Sequence, residues 1–99
     1  MTMDVRIQAI HFDASEQLVN FINKKAERLA RRFTAITAID ANLRVVKPET
    51  ANNKEVVIRV TLPDAPELVA TKTADTFEEA VDVALEALDR QLERLKDRK

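Results

Sequence analysis

Apolar and polar positions along the chain alternate in two different periods. Val5, Ile7 and Ala9 are interleaved with Arg6 and Gln8, which predicts a half-buried strand from roughly Asp4 to Ile10. Ser15 then offers an N-cap and Glu16 a negative charge in a first helical turn. From there the period becomes helical: Leu18, Val19, Ile22, Ala26, Leu29, Ala30 and Phe33 share one face, which must be buried. Period two returns with Ile39, Ala41, Leu43 and Val45 against Asp40, Asn42 and Arg44. It recurs with Val56, Ile58, Val60 and Leu62 against Val57, Arg59 and Thr61. Leu68 to Ala74 reads as a shorter, weaker strand. Thr76 and Glu79 then form a capping-box pattern, and Phe77, Val81, Ala84, Leu88, Leu92 and Leu95 continue as a helical stripe.

The predicted order is β-α-β-β-β-α. Strands polar on one face and helices apolar on one stripe imply an α+β fold with two layers: a four-stranded, mostly antiparallel sheet carrying both helices on one face. The polar stretch from Lys47 to Lys54, which lacks apolar periodicity, is the expected mobile loop.

Composition narrows the function. Ninety-nine residues fit one domain spanning 1–99. A net charge of -1 means that attraction to nucleic acid must come from segregation of charge over the surface. The absence of cysteine excludes disulfides, thiol nucleophiles and thiolate metal sites. The absence of glycine excludes Walker-type phosphate loops and dinucleotide-binding turns, which need glycine for close backbone approach, and leaves the turns to Asn, Asp and Pro. Neither a signal-like apolar start nor a membrane-length apolar run is present, so the expectation is a soluble cytoplasmic protein without a membrane partner.

Charge is segregated on the first helix. Lys24, Lys25, Arg28, Arg31 and Arg32 fall within about a third of the circumference at roughly 100° per residue, in two adjacent rows. Like charges this close repel, and a counter-charged partner would relieve them. One reading is a footprint for phosphates; the other is a solvated face neutralised by Glu27 and loop carboxylates, with Arg31 and Arg32 complementing the helix dipole. On the second helix Asp82, Glu86, Asp89 and Glu93 form an acidic strip beside a basic one of Arg90 and Arg94, with Arg98 near its edge. Such a pattern usually stabilises a solvated surface, and the basic strip extends the footprint only if it faces the first helix.

Catalysis has little support. His11 is the lone histidine and Ser15 the lone serine, so no arrangement of nucleophile, base and orienting group is available, and His11 reads as a packing or hydrogen-bonding residue. The carboxylate pairs lack histidine co-ligands, so neither a metal, a cofactor nor a small-molecule substrate is expected. None of the four phenylalanines lies in a predicted strand, which removes the base-stacking sheet of single-strand readers and favours recognition of folded RNA by backbone and shape. Phe21 sits among the basic residues, either folded against a loop or part of a contact surface.

Two stretches carry a resemblance. His11 to Leu18 followed by Phe21 to Phe33, and Ala80-Val81-Asp82 followed by Leu88-Asp89-Arg90-Gln91-Leu92, are similar to the two helices of the ribosome hibernation promoting factor and ribosome-associated inhibitor family. The resemblance runs over nearly the whole chain, in order. It implies a fold similar to double-stranded-RNA-binding domains. It also implies binding to the small ribosomal subunit in the channel of messenger and transfer RNA, keeping ribosomes inactive under stress or in stationary phase. Lys25 and Arg31 match the RNA-facing positions most closely, with Lys24, Arg28 and Arg32 adjacent and Arg90 and Lys96 on the second helix; Arg94 joins them through the basic strip. Glu78 and Ala87 stand where the family commonly has tyrosine and lysine, leaving the second helix less basic than usual. The chain resembles the short members, without the additional C-terminal dimerisation domain of long ones; self-association is possible but not implied. Two other readings remain: a module modulating a transcription sigma factor, and a small α+β enzyme such as an acylphosphatase, whose anion-binding loop a glycine-free chain lacks.

Overall fold

The computed structural model describes residues 4–10, 12–46 and 52–97. Six elements follow one another: β1 (Asp4–Ala9), α1 (Glu16–Arg32), β2 (Ala38–Val45), β3 (Lys54–Thr61), β4 (Leu68–Ala74) and α2 (Phe77–Asp97). The sheet order is β1-β2-β3-β4, with β2, β3 and β4 an antiparallel meander and β1 parallel to β2. A parallel pair needs a long crossover, and α1 supplies it. Architecture and strand periods agree with the sequence; the main boundary difference is Lys54. That residue opens β3 opposite Val45 instead of belonging to the loop, and residues 47–51 of that loop lie outside the described residues.

Register places Ile39, Ala41 and Leu43 beside Val56, Ile58 and Val60, all at most 1% exposed, and both helices close over this face. From α1 come Leu18, Ile22, Ala26 and Leu29; from α2 come Phe77, Ala80, Val81, Ala84, Leu85, Leu88 and Leu92. The opposite face, with Arg44, Arg59, Val69, Thr71 and Thr73 exposed, carries no helix.

The helix ends are built as their residue types require. Ser15 Oγ accepts from Leu18 N at 3.1 Å, and Thr76 Oγ1 accepts from Glu79 N at 3.1 Å, each satisfying a backbone donor that the first turn leaves open. Phe12 stacks on Phe77 with centroids 5.1 Å apart and planes within 7°, tying the approach to α1 to the start of α2. Without glycine, the left-handed position before β3 falls to Asn52 at φ 55°, whose N–H donates to Asp75 Oδ1 at 2.7 Å.

Candidate nucleic-acid interface

The two basic rows of α1 have different fates. Lys25 Nζ lies 3.2 Å from Asp82 Oδ1, and Arg32 forks to α2, one nitrogen on Asp89 and the other 2.8 Å from Glu93. Both 25–82 and 32–89 are separated by 57 positions, so the two helices run side by side in the same direction and the charges form rungs between them. The counter-charged partner for this row is therefore α2 of the same chain, in place of Glu27 or loop carboxylates. Three of the four residues of the acidic strip, Asp82, Asp89 and Glu93, likewise find their partners across the helix pair instead of along their own helix.

Aromatic rings brace the same row. Lys25 Nζ sits 5.5 Å from the centre of the Phe21 ring, and the Arg32 guanidinium 5.1 Å from that of Phe33. Phe21 is half-buried against the core under Lys25, packing within the helical layer. Its position among the cations is thus explained by the row it supports. Arg32 is 52% exposed, but its planar fork is matched to two carboxylates, which places it chiefly as a helix-to-helix clamp.

The other row faces water. Lys24, Arg28 and Arg31 are exposed, and among the described residues none of them makes an ion pair. A groove of about 560 Å³ runs between α1 and α2, lined on the α1 side by Lys25, Arg28 and Arg32 and on the α2 side by Asp82, Glu86, Asp89 and Arg90, so that of this row Arg28 reaches it. Arg90 thus stands across the groove from Arg28, also without an ion pair. Arg94 is exposed one turn further on and does not line the groove. Lys96 lies in the last turns of α2 with its side chain outside the described residues, as is the whole of His11. The structure thus sets Arg28 and Arg90 on one groove, leaves Lys24 and Arg31 exposed on α1 beside Arg28 with no ion pair among the described residues, and ties Lys25 and Arg32 to carboxylates.

Among the described residues no group of three or more His, Cys, Asp or Glu side chains is placed to hold a metal ion. No helix is long and apolar enough to cross a membrane, judged over the same residues.

Residues 5–99 match the family described as Sigma 54 modulation protein / S30EA ribosomal protein. The chain belongs to this family. No curated protein matches it by sequence. As an S30EA-family chain it shares its fold with a ribosomal subunit interface protein from Coxiella burnetii, at TM-score 0.83 and 24% identity over 95% of this chain and 98% of the other. It is also similar to the N-terminal domain of Thermus thermophilus Protein Y, at TM-score 0.76 and 19% identity over 94% of this chain and 99% of that one. Opposite charges of α1 and α2 meet along the helix pair, and this tie between the helices is the feature least legible in the residue order. A seven-residue spacing from Lys25 to Arg32, repeated between Asp82 and Asp89, is the sequence signal that pairs them.

Proposed function

We propose that this protein is a ribosome-associated inhibitor of translation. It occupies the channel of messenger and transfer RNA on the small ribosomal subunit and keeps the ribosome inactive, acting in the cytoplasm where ribosomes are. Membership of the S30EA family and the subunit-interface description of a protein with the same fold support the partner. The observation that carries the mechanism is the outward row of Lys24, Arg28 and Arg31, with Arg90 across the groove from Arg28, cations that make no ion pair among the described residues. Phosphates position such a surface without bases being read, so the inhibitor needs no chemistry of its own: its body excludes transfer RNA while the patch anchors it. The sigma-factor reading rests on the family's description alone.

Co-sedimentation with purified small subunits tests this. Arg28→Glu with Arg31→Glu reverses two exposed charges that make no ion pair among the described residues, so the variant should fold as wild type and stay in the supernatant. Wild-type pelleting of the folded variant would refute the proposal.

A further inference from the structure

We infer that Asp82, Asp89 and Glu93 are specificity determinants, which hold Lys25 and Arg32 away from RNA in general and so restrict phosphate binding to the outer row of α1. The inference rests on the ribosome reading and adds to it a device by which a protein with a dense basic helix would favour its own site over RNA at large.

The three carboxylates stand where phosphate oxygens would stand. Asp82 is 3.2 Å from Lys25 Nζ, and Asp89 and Glu93 take both arms of the Arg32 fork. A phosphate approaching either cation must displace a carboxylate already bonded to it, or come to rest beside one, where like charges repel. An RNA duplex presents phosphates on both strands at close intervals, so lying across both helices brings it against the acidic strip. A phosphate track that meets only the Lys24, Arg28 and Arg31 stripe escapes that penalty, which rises as the track reaches across the groove towards Arg90. Glu86, which lines the same groove without an ion pair, adds to it. The carboxylates thus act on the wrong partner more than on the right one.

The test compares Asp82→Asn/Asp89→Asn/Glu93→Gln with a charge-matched control, Asp4→Asn/Asp13→Asn/Glu67→Gln, whose exposed carboxylates line neither the helix groove nor the neighbouring pocket beside Arg32. Binding to a short RNA duplex of unrelated sequence, and to purified small subunits, is followed through a salt series. The groove variant should bind the duplex more tightly than the control does, with a salt slope steeper by about 1.4 to 1.8, for two cations released at roughly 0.7 to 0.9 per phosphate contact. Its preference for subunits over duplex should fall. Asp82→Asn alone releases only Lys25 and should give about half that change in slope, which guards against a folding defect in the triple variant. Duplex binding indistinguishable from the control, or an unchanged preference, would overturn the inference. Arg28→Glu/Arg31→Glu in the same assay separates the two claims: if it leaves subunit binding intact the ribosome reading fails, whereas the duplex arm still reports on the carboxylates.

Discussion

Arg31 and Arg32 are neighbours in sequence and opposites in structure, and truncating each to alanine should separate stability from binding. Arg32→Ala removes two charged hydrogen bonds to side chains 28% and 42% exposed, in a range where each such pair contributes about 0.2 to 1 kcal/mol. It also leaves Asp89 and Glu93 facing each other at i,i+4, a repulsion of about 0.2 to 0.5 kcal/mol. Loss of the guanidinium above Phe33 costs a further ~0.5 kcal/mol or more. These contributions share one side chain and do not simply add, so the expected destabilisation is about 1 to 2 kcal/mol. For a domain of this size that lowers Tm by roughly 5 to 10 °C, measured by calorimetry, and the loss should shrink in high salt. Arg31→Ala breaks no ion pair and should stay within about 0.5 kcal/mol of wild type. Small-subunit binding should show the reverse: the salt slope flattens by about 0.7 to 0.9 for Arg31→Ala and is unchanged for Arg32→Ala. Arg32→Ala with a wild-type Tm and a flattened slope would refute the division of the two rows.

Three further outcomes follow from the packing and caps. Leu88, fully buried on the core-facing side of α2, should cost about 2 to 5 kcal/mol as Leu88→Ala in urea unfolding. Ser15→Ala and Thr76→Ala each remove one capping acceptor and should cost about 1 kcal/mol apiece, adding in the double variant because the caps belong to different helices and share no partner. Asn52→Ala should lose about 1 kcal/mol at its left-handed backbone position whereas Asn52→Gly should be near neutral, a difference read from paired thermal melts.

The periods in the sequence carried nearly the whole fold, because a half-buried strand and a one-sided helix write their burial directly into residue order. Lys54 escaped because a lysine next to two asparagines has the composition of a turn; only its pairing with Val45 across the meander makes it strand. For the site, the five clustered cations of α1 were legible, but their separation into a paired and an open row was not. Angular position on one helix gives a face and not its neighbour. Lys25 and Arg32 are tied because α2 lies alongside with Asp82 and Asp89 at the matching interval, a tertiary fact decided by how both helices pack on the sheet. Arg90 and Arg94 were indistinguishable as a strip for the same reason, and only the groove between the helices sets Arg90 apart.

A chain with net charge -1 can dock on an anionic surface only if its charges are sorted, and the helix pair shows how the sorting is done. Two cations and three carboxylates are taken up in holding α1 to α2; the outward cations flanking the groove are then the narrow stripe of Lys24, Arg28 and Arg31, with Arg90 across from it. Its width limits how strongly binding can respond to salt. Four phosphate contacts give a log-log slope of about -3 to -3.5, whereas recruiting Lys25 and Arg32 as well would give about -4 to -5.5. A wild-type slope in the lower range means that the helix ladder stays closed on the ribosome. A slope in the upper range, unchanged in the Asp82→Asn/Asp89→Asn/Glu93→Gln variant, would mean that the ladder opens on binding and that ribosomal phosphates replace the chain's own carboxylates.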